Sequence, residues 1–227
     1  DVRQVVAPPY DIIDASLQKT LHDRHPNNVI RLELGYEQPG DTTGDNKYLR
    51  AAGALKEWLK SGALRRDDKP AIYYHTIEYQ PPYSAPGTPT KVFKGFLSTV
   101  ELEEFGSGKI YPHENTRAAA KTDRFNLLEA CRANFSAIIS LYSDPQNDVL
   151  TLIERSIASD KPRIDFQDDV GFRQRLWSVT DPAVLAKVVE IMHTKQLFIA
   201  DGHHRYETAL NYRRARRQQA GAPSGPQ

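Results

Sequence analysis

The densest run of chemistry-bearing side chains is Asp201-Gly202-His203-His204-Arg205, inside "LFIADGHHRYETALNY" at 197–212. Apolar and small residues lead into it, and a helix-like segment follows at once. That order predicts a buried strand, a glycine turn and a helix. Unpaired backbone N–H groups and the positive end of the helix dipole then fall at His203 to Arg205. Such a helix end attracts phosphate. Gly202 permits a sharp turn and a close ligand approach. Arg205 can fork onto phosphate oxygens, and His203 or His204 can donate hydrogen bonds or move a proton. Asp201 can cap the helix, hold a metal ion such as Mg²⁺, or act as a base. The plainer alternative is an Asp cap, a Gly turn and exposed imidazoles on a surface helix.

A second constellation lies in "YPHENTRAAAKTDRFN" at 111–126. On one continuous helix Arg117, Lys121 and Arg124 share a stripe, which Leu128 and Cys131 continue. The cations therefore point along the face that becomes core one turn later. Bound phosphate would account for that placement. The alternative is a shorter helix capped by Thr122 or Asp123, with Arg117 left in a loop. His113 and Glu114 precede the helix and can serve as acid, base or metal ligand.

The surrounding elements must hold these residues. Val2 to Ala7 reads as a short strand stopped by Pro8-Pro9. Ser16 to Arg24 reads as a helix. "VIRLEL" alternates like a half-buried strand, with Ile30, Leu32 and Leu34 on one face and Arg31 and Glu33 on the other. A helix over Asn46 to Lys60 carries Tyr48, Ala52, Leu55 and Leu59 on one stripe, with Gly62 as its stop. "AIYYHTIEYQ" and "KVFKGFLSTVEL" read as strands joined by the Pro-rich loop "PPYSAPGTPT". "AIISLY" is a short apolar strand. A helix near Asp148 to Ser159, strands near Arg163 to Phe166 and Phe172 to Val179, and a helix from Asp181 to His193 follow. Without a regular βαβ rhythm, the expected class is α+β, with mixed sheets and packed helices.

Other polar and aromatic residues carry weaker signals. Pro8-Pro9-Tyr10-Asp11 makes a stiff corner, and Arg31 and Glu33 are expected to pair. Trp58, Trp177 and Cys131 are expected in the core. "RRARR" at 213–217 reads as a solvated helix end. No Walker loop, Rossmann glycine fingerprint, nucleophile elbow or two-histidine zincin helix is present.

The chain of 227 residues has 30 Lys and Arg against 29 Asp and Glu, a net charge of +1. That balance gives no reason to expect nucleic acid or an anionic membrane. No apolar run approaches a membrane span, and no signal peptide opens the sequence. The single cysteine, Cys131, excludes an internal disulfide and multi-cysteine zinc sites. A cytoplasmic setting is expected. The first residues start almost in mid-strand and 218–227 reads as a flexible tail. The expectation is therefore a domain over 1–217 cut from a longer protein. It is one α+β domain, or two subdomains parting near 65–70 or 143–147.

The segments "VAPPYD", "NVIRLELG", "YPHENT", "KTDRFNLLEACRANFSAIISLY", "RLWSVTD" and "LFIADGHHRYETAL", in this order, resemble a bacterial and archaeal family, domain of unknown function 1015. The resemblance runs from about Val6 to Tyr212. More distantly, the Asp-Gly-His-His-Arg turn is similar to the phosphate-binding turn of the ParB and sulfiredoxin superfamily, which includes nucleotide-dependent free-serine kinases. That similarity implies phosphate contact by the backbone at Gly202 to His204 and by the side chains of His204 and Arg205. Sulfiredoxin chemistry is excluded, because its reactive cysteine would fall at His203. "ENTR" at 114–117 resembles a ParB nucleotide motif but precedes the turn, so its role is not transferred. ParB-like DNA clamping is not expected either, since no helix-turn-helix region is evident.

These readings lead to an expected phosphotransferase acting on a small hydroxylated metabolite such as a serine-like amino acid, with ATP or ADP and Mg²⁺. Gly202, His203, His204 and Arg205 would hold phosphates, and Arg117, Lys121 and Arg124 would neutralise developing charge. Glu114, His113 or Asp201 would take the acceptor's proton. The rival expectations are a metal-dependent phosphohydrolase using Asp201, His203, His204 and His113, and a non-catalytic nucleotide-gated module. Neighbouring helical histidines diverge by about 100°, which makes the first rival awkward.

Overall fold

The computed structural model describes residues 1–85, 87–106, 108–114 and 118–221. Among these the elements run α1 (Ala15–Arg24), α2 (Ile30–Glu33), α3 (Lys47–Ser61), β1 (Ile72–Tyr79), β2 (Lys91–Leu97), β3 (Ile110–Tyr111) and α4 (Ala118–Cys131). Then come β4 (Ile139–Leu141), α5 (Asp148–Ser156), β5 (Ile164–Gln167), β6 (Arg173–Val179), α6 (Pro182–Met192), β7 (Leu197–Asp201) and α7 (His203–Gln219). The class is α+β. No helix among the described residues is long and apolar enough to cross a membrane.

The chain divides into two compact units, each assembled from separated stretches. The first comprises Asp1–Arg3, Asp67–Val100 and Ser143–Lys195. It holds an antiparallel sheet in the order β2-β1-β6-β5. The alternating β-branched and aromatic residues of "IYYHTIEY" turn Ile72, Tyr74 and Thr76 inward. The Tyr74 hydroxyl donates to Glu154 of α5, and its ring meets Trp177 of β6 at 5.6 Å between centroids. Val149, Ile153, Val179 and Val188 are buried in this unit. Asp181 caps α6 by accepting from the Ala183 N–H at 2.8 Å.

The second unit comprises Gln4–Arg66, Glu101–Tyr142 and Gln196–Gln227. Its sheet runs β3-β7-β4, with β3 parallel and β4 antiparallel to the central β7. Ile110 and Ile199 from the sheet and Tyr206 and Leu210 from α7 form a buried cluster, flanked by Leu102, Phe105, Ile138 and Leu197. Helices α3, α4 and α7 pack in sequence, α4 touching both others. Leu21, Ile30, Leu32, Ala51, Trp58, Leu127 and Leu128 are buried here.

Three sequence expectations need correction. "VIRLEL" is a one-turn helix rather than a strand. Asn28 is fully buried, donates to the carbonyls of Gln4 and Val6, and accepts the Ile30 N–H at 3.0 Å. That side chain starts a turn just where a strand would begin, and short apolar runs do not separate the two periods. Val2 to Ala7 is likewise no strand. Val2–Gln4 is a 3₁₀ turn, and the Val5 carbonyl accepts the Val29 N–H. On α3 the fully buried positions are Ala51 and Trp58, about 80° around the helix from the centre of the expected stripe, whose Tyr48, Ala52 and Leu55 are half-buried and whose Leu59 is exposed. Gly62 stops that helix in the left-handed region, as its position predicts.

Candidate functional site

Strand β7 is the middle strand of its sheet, and Ile199 is wholly buried. The chain leaves it through Gly202 at φ 96° and ψ 27°, a conformation that L side chains resist. A second constraint applies at the same place. A Cβ on Gly202 would lie 3.0 Å from three atoms of the Arg205 guanidinium. Arg205 is thus folded back over the turn. It donates to the Ala137 carbonyl and pairs with the Asp201 carboxylate. Gly202 is the residue that precedes α7, and as a glycine it has no side chain with which to cap that helix end. Asp201 therefore does not act as the cap; its carboxylate answers Arg205.

His203, first in α7, is only 1 % exposed. Its Nε2 accepts the backbone N–H of His113 at 3.3 Å. An accepting Nε2 puts the proton of the neutral ring on Nδ1. Nδ1 lies 3.0 Å from Glu114 Oε1, yet off hydrogen-bonding geometry and without another partner. The contact is electrostatic rather than a formed hydrogen bond. The His113 ring stands edge-on to His203, with centroids 4.5 Å apart. His113 Nδ1 is 2.7 Å from the Ile199 carbonyl, so Nδ1 carries the proton and Nε2 holds the lone pair. His113 is exposed, whereas His203 faces inward. His204 is half-buried and, on an ideal helix, about 100° around α7 from His203.

The cationic stripe of α4 has a different setting. Arg117 lies outside the described residues. Lys121 pairs with Glu207 of α7 at 2.8 Å. Arg124 is 7 % exposed and bonds through Nη1 to both the carbonyl and the carboxylate of Glu33, each at 3.1 Å. Its Nε donates to Asp123 at 2.9 Å, and its guanidinium lies 4.2 Å from the centre of the Tyr10 ring. The sequence pairs Glu33 with Arg31. Glu33 instead bonds Arg124 and accepts from Ser136 Oγ, while Arg31 reaches the His22 carbonyl.

Asp123 extends this network to Lys47 and to the Tyr48 hydroxyl, each at 2.9 Å. Burial alone would raise the Asp123 carboxyl and lower the Lys47 ammonium. Their mutual bond, with Arg124 beside Asp123 and Glu37 beside Lys47, reverses both, leaving Asp123 below and Lys47 above its ordinary value. Burial raises the Tyr10 phenol, against the opposing field of Arg124.

Sequence reasoning by residue type gave Glu33 and Asp123 other roles and missed Lys47 and Ser136. A signal existed. The quoted segments around Tyr10, Glu33, His113, Asp123 to Ser136 and Asp201 to Thr208 all fall in the second unit, while "RLWSVTD" falls in the first. Asp201, His113, His203 and Glu114 do not converge as a set of three or more metal donors, nor does any such group among the described residues.

An α+β protein with a glycine-turned helix start, flanked by a two-histidine contact on one side and paired arginines on the other, is the class defined so far. Comparison places it more closely. The chain belongs to the family described as Protein of unknown function (DUF1015), which matches over residues 1–227. No curated protein and no solved structure matches it.

Proposed function

We propose that the protein is a nucleotide-binding phosphotransferase acting on a small hydroxylated acceptor, with the nucleotide's phosphates at the start of α7. One observation carries the reading. Arg205 lies over a left-handed Gly202, the residue from which α7 starts, and is held there by a carboxylate. An arginine already answering an anion at the start of a helix suits a phosphate that displaces Asp201. The similarity of this turn to the ParB and sulfiredoxin superfamily points the same way.

In this reading His113 Nε2 is the base. Its ring is fixed by the Ile199 carbonyl, and Nε2 has no partner among the described residues. The acceptor oxygen attacks the terminal phosphorus, its proton passes to Nε2, and the bond to the leaving nucleotide phosphate breaks. Glu114 faces His203 and favours the tautomer that accepts the His113 N–H. Mg²⁺ would be held chiefly by phosphate oxygens, with Asp201 as its carboxylate once Arg205 has turned to the phosphate. A metal-ion hydrolase would need His203 as a ligand, but that ring is turned into the core.

Thermal denaturation with ATP or ADP, with and without Mg²⁺, tests the reading. A nucleotide at a hundredfold its Kd should raise Tm by about 5–10 °C. Arg205→Ala should remove the rise. No shift with any nucleotide overturns the reading. A shift without turnover across a panel of hydroxylated acceptors favours the non-catalytic nucleotide-gated module.

A further inference from the structure

Strand β7 has two faces. Leu197 and Ile199 turn inward with Ile110 onto Tyr206 and Leu210. The other face is open: Phe198 and Ala200 of β7 and Ile139 and Leu141 of β4 are exposed, Leu141 the most at 56 %. Register sets Tyr111 of β3, Phe198 and Leu141 in one row across the three strands. The Tyr111 and Phe198 rings stack with centroids 5.4 Å apart.

This face runs into the Gly202 turn. Between the pairs Ser140–Ile199 and Ile139–Asp201 the ladder slips by one residue, so Ala200 is an extra residue in β7. Strict alternation would turn Asp201 inward behind Ile199. The bulge re-aims it: Asp201 pairs with Ile139 and is exposed like Phe198 and Ala200 before it. The apolar row and the carboxylate that answers Arg205 therefore lie along one side of β7. From Phe198 to Gly202 is roughly 13 Å of strand, a span that an extended nucleoside triphosphate covers.

The dimensions choose the occupant. Three strands about 4.8 Å apart give a platform roughly 10 Å wide. That suits one planar heterocycle and falls far short of the ~800 Å² per partner that a stable interface between proteins buries. An exposed aromatic ring gives a base a surface on which to stack. Gln196, exposed and two residues before Phe198, supplies a polar edge. Its Nε2 donates to the Tyr111 hydroxyl at 3.4 Å, which leaves a second N–H, and its Oε1 accepts from no described residue. A carboxamide with one donor and one acceptor matches the N6–N7 edge of adenine, whereas the same edge of guanine presents two acceptors.

We infer that this open sheet face is the seat of the nucleotide's adenine base, stacked on Phe198 with its N6–N7 edge at Gln196. The inference rests on the phosphotransferase reading, whose phosphate site at the Gly202 turn it completes.

Amide NMR of the isotope-labelled protein, titrated separately with ATP, GTP, adenosine and tripolyphosphate, tests it. ATP and adenosine should shift residues 111, 139–141 and 196–200, and tripolyphosphate only 201–205. Phe198→Ala should weaken ATP at least tenfold and tripolyphosphate less than twofold. Gln196→Leu, at an exposed position that does not endanger folding, should erase a preference for ATP over GTP of about tenfold. ATP binding no tighter than tripolyphosphate, unchanged ATP affinity in Phe198→Ala, or equal affinity for GTP overturns the inference and leaves the phosphate turn standing. Adenosine shifts without any response to tripolyphosphate keep the base seat and overturn the phosphotransferase. No response to any of the four overturns both. Shifts at Phe198 with protein concentration alone mean that a second copy covers the face, and overturn the seat.

Discussion

Replacing Arg124 by methionine strikes the polar centre of the second unit. Arg124 and Glu33 are each 7 % exposed at their side chains, so the carboxylate loses its partner where water does little to replace it. Breaking a buried pair from one side costs about 3–5 kcal/mol. The lost guanidinium contact with Tyr10 adds about 0.5–2 kcal/mol. Against a total stability of about 5–15 kcal/mol, Arg124→Met should move the unfolding midpoint far down. The sequence provides a clean probe. Of its two tryptophans, Trp58 belongs to the second unit and Trp177 to the first. In a Trp177→Phe background, denaturant titration followed by Trp58 fluorescence reads the affected unit alone. The decisive measurement is the double variant Arg124→Met, Glu33→Leu. If the loss arises from a stranded carboxylate, removing that carboxylate should restore most of the stability. A double variant as unstable as Arg124→Met would refute the reasoning. So would a loss under about 1 kcal/mol in the single variant, which is the range of a solvent-screened surface pair.

Three further expectations use the same geometry. Gly202→Ala must hold a side chain in the left-handed region, which costs about 1–2 kcal/mol, and must push Arg205 off Asp201. Lower stability in denaturant melts should therefore accompany loss of nucleotide-induced stabilisation, and retention of the latter would contradict the site. His113→Asn keeps a donor for the Ile199 carbonyl but loses the base. It should lower kcat by about 10²–10⁴ while nucleotide-induced stabilisation persists, as rate assays and thermal shifts can show. Burial lowers the His22 pKa despite its bond to the Leu34 carbonyl, with Arg31 adding to the lowering. The folded state thus binds fewer protons than the unfolded chain just below the ordinary value of 6.5, and stability is lost as pH falls through that range. His22→Phe, which keeps a ring against Tyr36, should flatten the slope of stability between about pH 7 and 5.

Where a residue's chemistry and its local period agree, sequence and structure coincide. β7, Gly202 and α7 follow from an apolar run, a glycine and a helical pattern in immediate succession. The β1–β2 and β5–β6 pairs follow from alternation between turn signals. The failures have one cause: partners distant in the chain. Nothing local announces that Asn28 holds the carbonyls of Gln4 and Val6, so "VIRLEL" looks like a strand. Nothing local shows that Arg124 meets Glu33, a residue 91 positions away. At the site, spacing locates Arg205 and His113 but leaves their roles open. The tautomer of His113 depends on the Ile199 carbonyl, and the inward turn of His203 depends on His113.

The order of synthesis bears on the three-stranded sheet. Its central strand, β7, emerges from the ribosome after both flanking strands and after the whole of the first unit. Until then β3 and β4 have no common neighbour, and their unpaired edges are open to other growing chains. The turn at Gly202 forms later still. A nascent chain stalled before Leu197 should therefore depend on chaperones and lack every trace of ligand affinity at that turn, however well its first unit has folded.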